Sequence, residues 1–246
     1  MASKAKSEAK PQSTDARGKI IDALMELAGE RRFEDISVRD ICQTAGVSLA
    51  DFRDAFPSKG AVLAGFSRRI DRVVLDQDSG ELADEEARER LFDVLMRRIE
   101  AMAPYREGVR EAIEWLRRDA SAALAMNQVT LTSMRFMLHA AGIEAEGPGA
   151  LIKLQGLSFA WARVLRVWLD DEEPELSKTM AELDRVLTRG ERAVAGVDRI
   201  SALATPFAAL ARAAMDAGRR RREGRGSSQP RRRRKDDDDA DGAPAA

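Results

Sequence analysis

Residues 37–66 decide the fold of this chain, and they read SVRDICQTAGVSLADFRDAFPSKGAVLAGF. Ser37 stands where a helix N-cap is expected, and Asp40 follows three residues later, which is the spacing of a capping box. Beyond this start, apolar residues recur at intervals of three and four, the spacing of one face of a helix. These residues are Val38, Ile41, Cys42 and Ala45. The segment therefore predicts a short amphipathic helix.

A second helix is predicted directly after the first, because Gly46 supplies the backbone freedom that a sharp turn requires. Ser48 repeats the N-cap signal, with Asp51 at the capping-box position. Phe52 and Phe56 lie four residues apart and are expected to point into a core. Two short helices joined by a tight turn form a helix-turn-helix, and the second helix has the right size for a DNA major groove.

The segment resembles the N-terminal domain of the TetR family of transcriptional regulators. In that family a Gly-Val-Ser turn opens the recognition helix, and a Phe followed by Pro-Ser and Lys leads into a long connecting helix. This chain has Gly46-Val47-Ser48 and Phe56-Pro57-Ser58-Lys59 at matching spacing. A preceding apolar face suits the first helix of the family, and its residues are Ile20, Ile21, Leu24, Met25, Leu27, Ala28 and Phe33.

The resemblance covers residues 15–75 by motif and the remainder by architecture. It implies an all-α protein with an N-terminal three-helix helix-turn-helix domain and a C-terminal helical bundle for ligand binding and dimerisation. The expected divisions are a disordered basic arm at 1–14, the helix-turn-helix domain at 15–66, the helical ligand-binding and dimerisation domain at 67–217, and a disordered charged tail at 218–246.

Charge is unevenly distributed along the chain. Residues 1–75 hold 13 Lys and Arg against 11 Asp and Glu, a net charge of +2, whereas residues 76–217 carry a net charge of −7. The N-terminal arm is expected to be a solvated, disordered leader that can also add phosphate contacts, since the two roles are compatible. Its basic residues are Lys4, Lys6, Lys10, Arg17 and Lys19.

The resemblance implies a transcriptional regulator, in the first place a repressor. Its homodimer is expected to bind a palindromic operator in double-stranded DNA, with one helix-turn-helix on each half-site. Arg53 stands where the family commonly has a Tyr that grips a phosphate, and a guanidinium suits phosphate geometry. Asp51 is interpreted first as the capping acid of its own helix and second as an acceptor for a cytosine amino group. Asp54 adds a second carboxylate beside the polyanion. The expected DNA-binding residues are Ser37, Val38, Arg39, Thr44, Gly46, Val47, Ser48, Leu49, Ala50, Asp51, Phe52, Arg53 and Lys59.

Methionine and tryptophan recur in the helices predicted beyond residue 66, and the family resemblance implies a small apolar effector there. Plain core packing is the favoured alternative on the sequence pattern alone. The residues expected to line the site are Met102, Trp115, Met126, Met134, Met137 and Phe159. An effector in this site is expected to shift the spacing of the two DNA-binding domains and release the operator.

Two helices later in the chain are predicted to form the dimer. The helix from 151 to 169 is apolar over much of its circumference, so it needs cover from two directions. In the TetR family the last two long helices of each subunit form a four-helix interface. The residues expected there are Leu151, Leu154, Trp161, Leu165, Trp168, Leu176, Met180, Leu183 and Leu187.

The sequence carries few signals of chemistry other than binding. Cys42 is the single cysteine and His139 the single histidine, so neither an intramolecular disulfide nor a Cys/His metal site is predicted. Because the sequence has no glycine-rich phosphate loop or nucleophile elbow, we expect no enzymatic activity and no cofactor. The polar N-terminus and the lack of a long apolar span predict a cytoplasmic protein.

A second resemblance leaves an alternative function open. The stretches RLFDVLMRRIEAMAPYREGVREAI, LHAAGI and VWLDDEEPELSKTMAELDRVL are similar to TetR-fold lipid-binding accessory proteins of ubiquinone biosynthesis. Those proteins end in an amphipathic helix that touches the membrane. Residues 198–217 fit that pattern, although an extra helix folded onto the body fits equally well. Under this alternative the bundle holds a lipid and makes peripheral membrane contact, whereas the intact turn and the basic arm favour DNA binding.

Overall fold

The computed structural model describes residues 12–77, 84–146 and 149–192. No strand occurs among them, and the predicted all-α class is confirmed. The helices are α1 (Gln12–Glu30), α2 (Val38–Ala45), α3 (Leu49–Ala55), α4 (Lys59–Asp76), α5 (Ala87–Met102), α6 (Arg106–Arg118), α7 (Ala120–Ala140), α8 (Ala150–Asp170) and α9 (177–192). We call α1–α3 the head and α5–α9 the body. The amphipathic segment and the charged tail predicted from the sequence lie outside the described residues, and α1 begins inside the segment expected to form the arm.

The head is built around the inward face of α1. All the residues that the sequence placed on this face are buried, and they are Ile20, Ile21, Leu24, Met25, Leu27 and Ala28. The short helices α2 and α3 pack against α1 and bury Ile41 and Phe52, while Phe33 closes the end of the core. Burial of one such side chain contributes about 1.5–3 kcal/mol. Tertiary packing therefore holds α2 and α3, which are too short to be stable alone.

The connecting helix α4 carries the chain from the head into the body. Its N-cap is Ser58, whose Oγ accepts from Ala61 N at 3.2 Å. α4 packs against α1 in the head and against α5 and α7 in the body, and it buries Phe66 and Ile70 along its length. A single helix therefore connects the core of the head to that of the body.

A buried ion pair joins α4 to three helices of the body. Asp71 of α4 accepts from the Arg98 guanidinium of α5 and from Ser133 Oγ of α7, the latter at 2.6 Å. Arg98 also donates to Ser67 Oγ at 3.3 Å, and its Cζ lies 5.5 Å from the ring centroid of Trp161 in α8. Burial lowers the pKa of Arg98, and the Asp71 charge opposes this effect. Removing one partner would leave a buried charge and lower the free energy of unfolding by about 3–5 kcal/mol. The packing of these helices therefore depends on the intact pair.

Helix α6 crosses α1 where the head meets the body. A Cβ atom on Gly108 would lie 2.5 Å from the backbone oxygen of Met25, so the two backbones approach as closely as a glycine allows. Nearer the end of α6, the rings of Phe33 and Trp115 stack with centroids 4.3 Å apart. Phe33 N also donates to Glu111 Oε1 at 3.0 Å. The contact between head and body is therefore close-packed and includes a hydrogen bond.

The opposite end of α6 holds the corner between α8 and α9. Arg106 donates to the Trp168 carbonyl at 2.5 Å and also to the Asp171 carbonyl. These acceptors lie at the end of α8, where carbonyl groups lack partners within the helix. The Asp171 carboxylate is buried and accepts from the Thr179 amide at 2.9 Å and hydroxyl at 2.7 Å. One helix, α6, thus contacts both the head and the α8–α9 corner.

Replacing Gly108 with Ala should destabilise the fold by about 1–3 kcal/mol, because the added methyl group would collide with rigid backbone. The matched control is Gly18→Ala in α1, where an added Cβ meets no atom within 4 Å. The control should stabilise the protein by about 0.5–1 kcal/mol through helix propensity. Urea unfolding measures both changes, and equal stability of the two variants would contradict the close α1–α6 crossing.

Candidate nucleic-acid interface

Local hydrogen bonds hold the turn of the helix-turn-helix. Asp40 N donates to Ser37 Oγ at 3.1 Å and Ser37 N donates to Asp40 Oδ2 at 2.9 Å, so the predicted capping box of α2 is confirmed. The helix ends at Gly46, whose φ of 62° lies in the left-handed region that favours glycine. Val47 N then reaches back to the Cys42 carbonyl at 3.0 Å. The geometry of the turn follows from these few adjacent residues.

The candidate recognition helix α3 also starts with a capping box. Asp51 N donates to Ser48 Oγ at 3.0 Å, and Asp51 Oδ2 accepts from the Ser48 amide at 2.9 Å and from its hydroxyl at 2.6 Å. The hydroxyl hydrogen bond, and then the amide hydrogen bond, holds the pKa of Asp51 below its ordinary value. Capping of its own helix therefore accounts for Asp51, as the first interpretation predicted.

One side of α3 faces solvent and the other faces the core. Leu49 is 65% exposed, and Ala50, Arg53 and Asp54 are exposed beside it. Phe52 is only 3% exposed. The prediction that the Phe52 side chain contacts DNA is therefore wrong, because its ring lies on the side of α3 that packs against α1. The outer side of α3 is the surface available to a partner.

The other residues expected to bind DNA lie in α2 and the turn. Ser37, Arg39 and Thr44 are exposed. Val38 and Val47 are partly buried and pack against the core of the head. The exposed residues are thus the polar ones, while the two valines help to hold the helix-turn-helix together.

Lys59 is engaged inside the protein. Its ammonium donates to the Phe33 carbonyl and, at 2.8 Å, to the Ile36 carbonyl, and it lies 4.6 Å from the centroid of the Phe33 ring. Burial is the main reason that the pKa of Lys59 is lowered. The side chain therefore braces the connection between α1 and α2. The sequence gives no signal of this role, because the two acceptors precede Lys59 by 26 and 23 residues.

Arg17 is also engaged, which corrects the expectation that it belongs to a flexible arm. It lies in α1, and its Nη1 donates to the Ala55 carbonyl at the end of α3 at 2.6 Å. Two of the basic residues expected to contact phosphates, Arg17 and Lys59, thus bind carbonyl groups of the protein. Arg39 and Arg53 are the exposed arginines on α2 and α3.

A cavity of about 490 Å³ lies between the start of α4, the end of α6 and the first half of α7. Trp115 and Met126, both expected at an effector site, belong to its lining. The other lining residues are Ser58, Gly60, Ala61, Leu63, Ala64, Leu116, Ser121, Ala122, Ala125 and Val129. The cavity is mostly apolar, and Trp115 separates it from Phe33 of the head.

The other residues expected at an effector site do not line this cavity. Met102, Met134 and Met137 are buried in the core, as the core-packing alternative predicted. Phe159 is 69% exposed on α8. Spacing alone could not show which methionines face a cavity, because the cavity forms only where α4, α6 and α7 come together.

The structure divides the residues expected at the dimer interface into inward and outward sets. The inward residues are buried within the subunit and are Leu154, Trp161, Trp168, Leu183 and Leu187. Leu165, Leu176 and Met180 are partly buried, whereas Leu151 is 71% exposed. Ile152 and Phe159 are exposed near Leu151 on α8. The buried residues therefore belong to the core of the subunit and not to an interface. The sequence shows two apolar lines on α8, but it does not show which of them faces the core.

The arrangement matches solved structures of TetR transcriptional regulators. A TetR transcriptional regulator from Nitrosomonas europaea aligns at 23% identity with a TM-score of 0.59, over 71% of this chain and 97% of that chain. A second, from a Rhodococcus species, aligns at 19% identity with a TM-score of 0.55, over 73% of this chain and 97% of that chain. No protein-family model and no curated protein matches the sequence. The likeness establishes the fold, and the predicted TetR-like architecture is confirmed.

None of the described helices is both long and apolar enough to span a bilayer. Within the described ranges, no group of three or more His, Cys, Asp and Glu side chains is arranged to hold a metal ion. The segment 198–217, on which the membrane-contact alternative depends, lies outside those ranges.

Proposed function

We propose that the protein is a TetR-family transcriptional regulator that binds double-stranded DNA. The observation that carries this proposal is α3, a capped helix of seven residues whose outer side exposes Leu49, Ala50 and Arg53 next to a well-formed turn. The two regulators of the same fold support it.

In this proposal α3 lies in the major groove of one operator half-site. Leu49 and Ala50 contact base edges and thymine methyl groups, since their side chains have no hydrogen-bonding group. Arg53 and Arg39 bind backbone phosphates, and the Ser37 hydroxyl adds a neutral contact. Arg17 and Lys59 already bind protein carbonyls, so neither is counted among the phosphate contacts.

Replacing Arg53 with Ala should weaken binding to all DNA sequences and make the plot of log affinity against log salt shallower by about 1.8, the effect of one lost phosphate contact in each subunit of the dimer. Fluorescence anisotropy with a labelled duplex over a salt series measures both quantities. The matched control is Arg72→Ala, which removes the same charge from an exposed arginine on the body portion of α4. An unchanged slope for Arg53→Ala would remove this residue from the interface.

We also propose that the regulator is a homodimer, since a palindrome needs two heads. The exposed side of α8 that carries Leu151, Ile152 and Phe159 supports this assignment. These three large apolar side chains lie within about two helical turns of one another, and each is about 70% exposed. A second copy of the chain, related by a two-fold axis, would cover them.

Replacing Phe159 with Asp should therefore convert the dimer to a monomer at micromolar concentration, because each interface would bury an unpaired carboxylate. The control is Val73→Asp, which places the same charge on an exposed apolar residue of α4. Analytical ultracentrifugation reports the mass of each variant. A Phe159→Asp protein that keeps the mass of the wild type would exclude this side of α8 from the interface.

The cavity between α4, α6 and α7 is the proposed effector site, and its lining fits a small apolar molecule. An effector there contacts Trp115, whose ring stacks on Phe33, and Ser58, which caps α4. Both contacts lie at the junction of head and body. An effector that binds one arrangement of this junction more tightly shifts the protein toward that arrangement and releases DNA.

Filling the cavity should weaken the binding of an apolar molecule there. We expect Ala122→Phe to weaken the binding of the apolar dye phenylnaphthylamine by at least about tenfold, which is about 1.4 kcal/mol, because the new ring occupies the same space. Ala87→Phe adds the same ring at the exposed start of α5 and is the control. Dye fluorescence titrations measure the affinities. Equal dye affinity for Ala122→Phe and wild type would show that the dye binds elsewhere.

A further inference from the structure

The end of the candidate recognition helix α3 is held by a residue from α1. The last carbonyl groups of a helix have no donors within that helix, and in α3 the Ala55 carbonyl accepts from Arg17 Nη1 at 2.6 Å. Ala55 and Arg17 are 38 residues apart in sequence. The guanidinium also brings a positive charge to the negative end of the α3 dipole. Arg17 therefore acts as a side-chain cap for the C-terminal end of α3.

Arg17 also confines the aromatic residue that follows α3. Its Cζ lies 4.3 Å from the centroid of the Phe56 ring. Gly65 of α4 leaves room for this ring, since a Cβ on Gly65 would lie 2.7 Å from Phe56 Cε1 and 3.4 Å from Ile21 Cδ1. Phe56 is 1% exposed and connects α3 to α4. The ring is thus packed between the Arg17 guanidinium, α1 and α4, and the direction in which α3 leaves this junction depends on all three.

We propose that Arg17 is a positioning residue that determines how well the protein discriminates its operator from other DNA, a role that rests on the proposed function. Base edges are recognised only when side chains are correctly placed, whereas phosphate contacts tolerate displacement and carry no sequence information. The outer side of α3 carries Leu49 and Ala50, which read bases, while Arg17 itself is occupied by Ala55 and Phe56. Loss of Arg17 therefore impairs base recognition and leaves the electrostatic part of binding unchanged.

The test compares Arg17→Ala, Arg17→Lys and Arg53→Ala in the full-length protein on two DNA duplexes. One duplex is enriched from a random pool by the wild-type protein, and the other is a shuffled version of it. We expect Arg17→Ala to lose roughly tenfold in affinity for the enriched duplex, the cost of about one mismatched base pair. Its affinity for the shuffled duplex and its salt slope should stay those of the wild type. Arg53→Ala should instead weaken both duplexes and reduce the slope.

Arg17→Lys separates positioning from charge. Lysine keeps the charge but lacks the planar guanidinium that lies over Phe56 while donating to Ala55, so it should lose discrimination as Ala does. Full discrimination by the Lys variant would overturn the proposal. A reduced salt slope with equal losses on both duplexes would also overturn it, because Arg17 would then be a phosphate contact.

Hydrogen exchange without DNA tests the structural part separately. Amides at the end of α3 and in the following turn should exchange faster in Arg17→Ala and Arg17→Lys, while those of α7 should exchange at the wild-type rate. Unchanged exchange at the end of α3 would overturn the proposal whatever the DNA data show. If the wild-type protein enriches no sequence, the proposed function is wrong, and so is the proposal that Arg17 determines how well the protein discriminates its operator. The hydrogen-exchange data would still decide whether Arg17 stabilises the end of α3.

Discussion

The packing of α1 is the constraint on which the rest of the structure depends. α1 packs against α2 and α3 to form the head, against α4 where the chain leaves it, and against α6 at the edge of the body. At Gly108 a Cβ atom would lie 2.5 Å from the Met25 carbonyl oxygen and 3.0 Å from Met25 Cε, so backbone atoms contribute to this contact and leave it little room to adjust. Closely packed interiors transmit displacement because they contain few voids. We therefore expect a shift of α6 relative to the rest of the body to move α1, and with it α3.

The sequence predicted the parts of the molecule whose partners are three or four residues apart. The capping boxes of Ser37 and Ser48, the turn at Gly46 and the buried side of α1 all depend on such local spacing. It could not predict that Lys59 braces Phe33 and Ile36, since that contact depends on how distant segments pack. For the same reason it did not show which apolar line of α8 faces the subunit, or which methionines line a cavity.

The two functions left open by the sequence differ in what they require of α3. A lipid-binding accessory protein has no need for a recognition helix, whereas a regulator needs one that is formed, capped and exposed. In this chain α3 has a complete capping box, an exposed outer side and a side-chain cap from Arg17 at its other end. The carboxylate of Asp51 would repel a polyanion, but it accepts hydrogen bonds from the amide and hydroxyl of Ser48 at the start of α3. These observations favour the regulator.

The most direct measurement is the binding of the purified protein to DNA from its own upstream region, over a salt series and in the presence of competitor DNA. We expect specific binding with a dissociation constant on the order of 10⁻⁸ M or tighter, which persists in the presence of competitor DNA. Weak binding that does not depend on sequence and is lost at moderate salt would contradict it. The basic termini alone would then explain the interaction with DNA, and extraction for bound lipid would be the next experiment.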